Sequence, residues 1–168
     1  MTRTTWSLGV YGLVVAGCLA LACLEPLVAV AVLAAARLKL PAAAALTAAV
    51  WLTGQAIGFG LRGFPVDTQT VGWGVGLGVM ALASLLAAAA VLPRLPQRLP
   101  EWFRIAAAFV PAFVANQLAA LGVEFAVKGS CEIVPGVVTA IGLINAGWLA
   151  ALLALDALAR RLPSPRTP

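Results

Sequence analysis

The side chains able to do chemistry inside the apolar runs of this chain are few: Glu25, Gln55, Asn116, Gln117, Glu124, Asn145 and Asp156. An amide surrounded by hydrocarbon seeks a hydrogen-bond partner, and an acid at membrane depth is costly enough to point to function. Gln117 and Glu124 stand two helical turns apart, on one face with Phe113 and Leu121. Gln55 has Trp51 one turn before it and Phe59 one turn after. One reading is that Gln55, Gln117, Glu124 and Asn145 converge on an outward-facing pocket flanked by Trp51, Phe59 and Trp73. Aromatic walls with a few hydrogen-bonding groups suit a small, partly polar solute. The other reading is that the amides tie helices together, each bond contributing about 0.6–2 kcal/mol. Glu25 and Glu124 lie within a turn of an interface, where water reaches them. Asp156 has Arg160 one turn later, and an ion pair at a helix end is the simplest account of both.

The residue types that are missing narrow the chemistry further. The chain has no histidine, which removes the commonest metal and haem ligand and the usual proton shuttle. Its three cysteines, Cys18, Cys23 and Cys131, form no CxxC pair and match no zinc spacing. Cys23 and Cys131 both fall toward the outer face, as a disulfide or as inert thiols. Histidine-based triads are impossible, and no glycine-rich phosphate loop with its lysine is present. The sequence therefore predicts no enzyme, no cofactor and no metal.

The elements that must position these residues are apolar helices. Of 168 residues, 62% are hydrophobic and 10% charged, with a mean hydropathy of +1.02. Soluble domains carry roughly 25% charged residues, so the composition predicts an all-α, polytopic transmembrane bundle in one integral membrane domain. Its segments fall at about 6–24, 26–38, 41–61, 70–92, 105–123 and 135–159, with a disordered tail at 163–168. The first apolar run, from Trp6 to Ala36, is interrupted only by Glu25 and Pro26. It is either a span followed by a short second segment or one long kinked helix, hence five to six segments. Val15–Cys18 is similar to a lipoprotein processing site, but apolar sequence continues beyond it, and the segment reads as structure. Trp51–Pro65 looks like the central, packed helix. In it Gly54 and Gly58 form a small-xxx-small pair, as do Gly72 and Gly76 in the next segment, and such pairs let helices approach closely.

The charges set the orientation. Net charge is +5, carried in clusters between apolar runs without aromatic interleaving, which fits topology and excludes nucleic acid. Arg37, Lys39, Arg94, Arg98, Arg104, Arg160, Arg161 and Arg166 fall on one face, joined by Arg3 in the six-segment arrangement. Only Arg62 and Lys128 fall on the other, which predicts cytoplasmic termini. A faint repeat relates Trp51-x3-Gln55 to Phe113-x3-Gln117, each followed by a Gly-Trp pair (Gly72-Trp73 and Gly147-Trp148).

Size, segment number, cytoplasmic termini and small-residue helices together resemble the substrate-binding subunits of energy-coupling-factor importers. Ala16-xxx-Ala20 and Ala31-xxx-Ala35 are similar to the alanine-rich surface by which that family docks on its partner. The resemblance implies solute binding near the outer face of a bacterial inner membrane, with ATP used by partner subunits. The absence of histidine departs from a nickel or cobalt version. The alternative is a non-catalytic accessory or assembly subunit of a larger membrane complex. Either way the expected partners are membrane lipid and another membrane subunit, with a small-molecule solute on the first reading only.

Overall fold

A short helix whose own sequence holds none of the polar candidates forms the axis of the fold. In the computed structural model, which describes residues 3–20, 26–127 and 135–161, helix α2 runs Leu27–Arg37. Leu27 through Ala34 are each 4% exposed or less. The reason is in LVAVAVLA: a helix that is apolar all round has no face to offer water, so it is enclosed on every side. Eleven residues make a rod of about 16 Å, roughly half of a bilayer's hydrocarbon thickness. Pro26 precedes its first turn, and Arg37 stands at its C-terminal end, where a cation complements the helix dipole.

Longer helices surround this axis. Helix α1 is Arg3–Ala20, α3 is Leu40–Gln55 with a π-helical extension over Ala56–Leu61, and α4 is Thr68–Val91. A single 3₁₀ turn at Leu92–Arg94 leads toward α5, Glu101–Val127, and α6 is Pro135–Arg161. The described residues contain no strand. The stretches Leu40–Leu61, Thr68–Arg94, Glu101–Val127 and Gly136–Arg160 are each long and apolar enough to cross a membrane. An all-α bundle with four such helices supports a multi-pass membrane protein.

The side-chain sizes are distributed as lipid, not water, demands. Val79 and Leu86 on α4, and Val114 and Leu118 on α5, point outward and are more than half exposed. The inner faces of the same helices carry Ala81, Ser84 and Ala88 against Ala108, Ala112 and Asn116, all buried. Without a hydrophobic force between helices, close approach of small residues supplies the packing.

The alternate glycines of α4 resolve into two stripes. A Cβ on Gly72 or Gly76 would lie 2.9 Å from Val127 or 2.4 Å from Val123, so this stripe seats α5. A Cβ on Gly74 or Gly78 would lie 2.6 Å from Gln55 or 2.8 Å from Trp51, so that stripe seats α3. Each stripe repeats every four residues, and the two faces are clasped from opposite flanks.

This arrangement decides between two sequence alternatives and revises one expectation. The first apolar run is two antiparallel helices, because Trp6 near its start and Arg37 at its end both bond Asp156. Trp51–Pro65 forms a wall of the bundle, while the centre belongs to α2, whose uniform apolarity gave it no distinguishing residue. The helices then alternate in direction, and α1 begins at the end of the bundle where α6 finishes. Glu25, the Cys23–Cys131 pair and the 163–168 tail lie outside the described residues.

Candidate functional site

The half-length of α2 leaves room above it. Its first turn lies beside Asn145, while α6 begins ten residues earlier, about 15 Å further along the bundle. Among the described residues, no central helix fills the space between the far halves of α3, α4, α5 and α6. The result is a cavity of about 220 Å³. Leu27 and Val28 make its floor, Gly54, Ile57 and Gly58 one wall, and Leu77, Met80 and Ile141 the others. Its polar lining is Arg62, Asn116 and Asn145, and Phe64 stands at its edge.

Each polar group arrives by a local cause. Asn145 is 3% exposed, and its Oδ1 accepts from the backbone N–H of Val28 at 3.2 Å and of Ala29 at 3.4 Å. Helix starts leave unpaired N–H groups, and inside an apolar bundle no water can satisfy them. Asn145 thus caps α2 from a different helix, while its Nδ2 donates to the Ile141 carbonyl at 3.1 Å. Asn116, 4% exposed, donates from Nδ2 to Ser84 Oγ at 3.2 Å. Ser84 in turn donates to the Met80 carbonyl at 2.9 Å, and Gln117 Nε2 donates to Asn116 Oδ1 at 3.4 Å. This thread joins α5 to α4 beside the cavity.

Arg62 is delivered by the π-helical turn. The sequence AIGFGL has two glycines, which ease the wider turn, and the Arg62 N–H bonds the Ile57 carbonyl at 3.0 Å. Gly63 follows with φ +66°, a left-handed conformation that glycine adopts without penalty. The chain then folds back: the Phe64 N–H bonds the Gly58 carbonyl at 3.1 Å, and its ring covers Gly58, where a Cβ would sit 2.8 Å away. Phe59 meets Phe64 edge-on at 6.3 Å between ring centres.

Of the residues expected to form a pocket, the structure brings Asn145 to this cavity; Gly54 and Gly58, expected to pack helices, also line it. Gln55, Trp51 and Phe59 instead pack against the glycines of α4, with Trp51 Nε1 donating to the Gly74 carbonyl at 2.8 Å. Gln117 is tied to its neighbour Asn116, and Trp73 and Glu124 are half-buried away from the cavity wall. Gly58 is covered by Phe64 of its own hairpin, not by a neighbouring helix. Arg62, Phe64 and Met80 were not singled out by sequence reasoning as lining residues. Asn116 had a usable signal, because it continues the buried Ala108–Ala112 row at intervals of four.

At the opposite end of the bundle the polar groups close on one another. Asp156, 6% exposed, accepts from Arg37 Nη2 at 2.7 Å, Arg160 Nη2 at 2.6 Å and Trp6 Nε1 at 2.8 Å. Glu101 bridges the same two arginines, reaching Arg160 at 3.0 Å. The ion pair expected within α6 is present and is one edge of a cluster spanning α1, α2, α5 and α6.

Among the described residues, no Asp or Glu lines the cavity and no group of three His, Cys, Asp or Glu side chains could hold a metal ion. No family model, curated protein or solved structure matches this chain.

Proposed function

We propose that this protein is a small-solute-binding subunit of a membrane transporter, non-catalytic itself, with the cavity above α2 as its site. The observation that carries the reading is the direction of the polar groups. Asn116, Asn145 and Arg62 face a shared space walled by apolar side chains, the composition of a binding site and not of a lipid-facing helix. At about 220 Å³ the space is smaller than drug-sized pockets, which run about 300–1,000 Å³, so the solute is small. The basic end of the bundle faces the cytoplasm on the charge rule, which puts the cavity in the outer leaflet half of a bacterial inner membrane. An energy-coupling partner that uses ATP would complete the transporter, as the resemblance to energy-coupling-factor importers implies.

A second reading is a non-catalytic accessory subunit of a larger membrane complex. It is favoured by α6, of whose most apolar stretch only 17% is buried, leaving a long apolar flank for lipid or for another subunit. Native mass spectrometry of the protein released gently from its membrane separates the two. A small molecule that co-purifies with the wild type and is lost from Met80→Trp, which fills the cavity, supports solute binding. A stoichiometric membrane partner with no small molecule, in the wild type as in the variant, transfers support to the accessory role.

A further inference from the structure

We infer that a groove between α1 and α6, at the basic end of the bundle, holds one acyl chain of an anionic phospholipid, its headgroup set against the cations at the mouth. The two helices meet at two points. Trp6 Nε1 bonds Asp156 at one, and at the other Gly17 lies against Trp148, where a Cβ would sit 2.1 Å from the ring. Between these points the helices part and leave a groove of about 260 Å³. Leu152, 2% exposed, is its floor, Leu13 and Leu155 are its exposed rims, and Gly9 and Val10 belong to its α1 wall. A Cβ on Gly9 would meet nothing within 4 Å, so among the described residues nothing packs against that glycine. Along α1 the groove runs from Trp6 to Leu13, a rise of about 10 Å. That is the greater part of one leaflet's share of a hydrocarbon core about 30 Å thick, and it starts at the charged end, where a headgroup would sit.

Charge at the mouth selects the headgroup. In the closed cluster, Arg37 and Arg160 are matched by Glu101 and Asp156. The other cations of that end, among them Arg3, Arg94, Arg98 and Arg161, have no such match in the sequence, because the remaining acids, Glu25, Asp67, Glu124 and Glu132, belong to the opposite end. Residues 1–2 and 162–168, which lie outside the described ones at the basic end, contain no Asp or Glu. The end is therefore positive in any conformation of those segments. Arg3 opens α1 one turn before Trp6, and Arg161 closes α6 two residues beyond Ala159, which also lines the groove. Each cation near a membrane surface favours acidic lipid by about five-fold. A soluble anion would use the charge and leave the groove empty, and an uncharged lipid would use the groove alone. An anionic phospholipid uses both.

The test places the full chain in nanodiscs of equimolar phosphatidylglycerol and phosphatidylcholine and reads, by native mass spectrometry of the released protein, which lipid stays bound. The expected result is one retained phosphatidylglycerol, in at least about five-fold excess over phosphatidylcholine. Gly9→Leu, which fills the groove from open space, should abolish retention. Gly12→Leu should not, since Gly12 has equally open surroundings but does not line the groove. That pair separates loss of the site from a general effect of leucine on α1. Arg3→Gln combined with Arg161→Gln should keep a retained lipid and bring the ratio toward one. Equal retention of the two lipids by the wild type, a ratio unchanged in the double variant, or retention indifferent to Gly9→Leu would each overturn the proposal. So would retention of a second copy of the chain that Gly9→Leu abolishes, which would give the groove to self-association. Lipid retained only after removal of residues 162–168 would give the groove to that segment, and would overturn it as well.

Discussion

The two ends of this bundle solve opposite problems with the same few polar residues. At the basic end, Trp6, Arg37, Glu101, Asp156 and Arg160 satisfy one another, and the two arginines and two carboxylates cancel in charge. At the other end, α2 stops at mid-depth, a π turn and a left-handed glycine redirect the chain, and a cavity remains. Both follow from one property of α2. Its C-terminal arginine reaches the surface cluster, and its short length cannot fill the far half of the bundle. A helix long enough to span would have kept the first feature and erased the second. The comparison teaches that the closed end fixes the helices, so that the open end can hold a defined space.

The largest test of that division removes the hub of the closed end. Asp156→Ala leaves Arg37, whose side chain is 13% exposed, with only the more exposed Glu101. Breaking a buried pair by deleting one partner costs about 3–5 kcal/mol, and retention of Glu101 places the expected loss near the lower limit. Thermal unfolding in detergent should show it as a clear drop in midpoint. Arg37→Met combined with Asp156→Leu should recover much of the loss, since a hydrophobic replacement of the whole pair leaves no orphan charge. Arg160→Ala is exposed on half its surface and should cost about 1 kcal/mol or less.

At the open end the corresponding hub is Asn145. Asn145→Leu removes the acceptor for two backbone donors of α2, and a buried group left unsatisfied costs about 1–3 kcal/mol. Hydrogen exchange at Val28 and Ala29 should quicken more than at Val32, which would localise the effect to the first turn. Glycine substitutions give the next contrast. Gly76→Ala places a methyl 2.4 Å from Val123 inside the α4–α5 contact, and overpacking of this kind costs about 1–3 kcal/mol. Gly58→Ala meets only the ring of Phe64, which can swing away, so the expected loss is smaller and the Phe64 ring should become more exposed. Equal losses in the two variants would mean that the cavity edge is as rigid as the helix contact, and the comparison would fail there.

The fold class and the helical segments were legible because hydrophobic length is a property of composition, read without knowing any contact. The closed end was half legible: Asp156 and Arg160 are one turn apart, whereas Trp6, Arg37 and Glu101 join them only through the path of the chain. The site was least legible, for a physical reason. An amide on a transmembrane helix does not reveal whether it faces a neighbour's carbonyl or a space, and here Gln55 packs on Gly74 while Asn116 borders the cavity. The cavity lies beyond the first described turn of α2, and no residue type marks where a central helix is too short to fill a bundle. The π turn compounds this, since it sets the register at which Arg62 and Phe64 arrive.

The smallest effect expected is at Asp67, in the loop that carries Arg62 and Phe64 into α4. Its carboxylate accepts the Thr70 backbone N–H at 2.7 Å, capping α4, and this bond holds its pKa below the usual aspartate value. A group with a depressed folded pKa contributes stability above its unfolded pKa and loses that contribution as pH falls through the folded one. The α4 start should therefore be intact at neutral pH and loosen only in acid. Asp67→Asn keeps an oxygen acceptor without the charge, and should flatten this acid dependence while leaving neutral-pH exchange at Thr70 nearly unchanged. Amide exchange at Thr70 and Val71 across the acid range reads both effects, corrected for the intrinsic pH dependence of exchange. Because Asp67 is exposed and distant from the charged cluster, Trp6 and Arg37 should report no change over the same range. If acid loosened both ends together, the loop and the cluster would act as one unit, and the independence of the two ends would have to be given up.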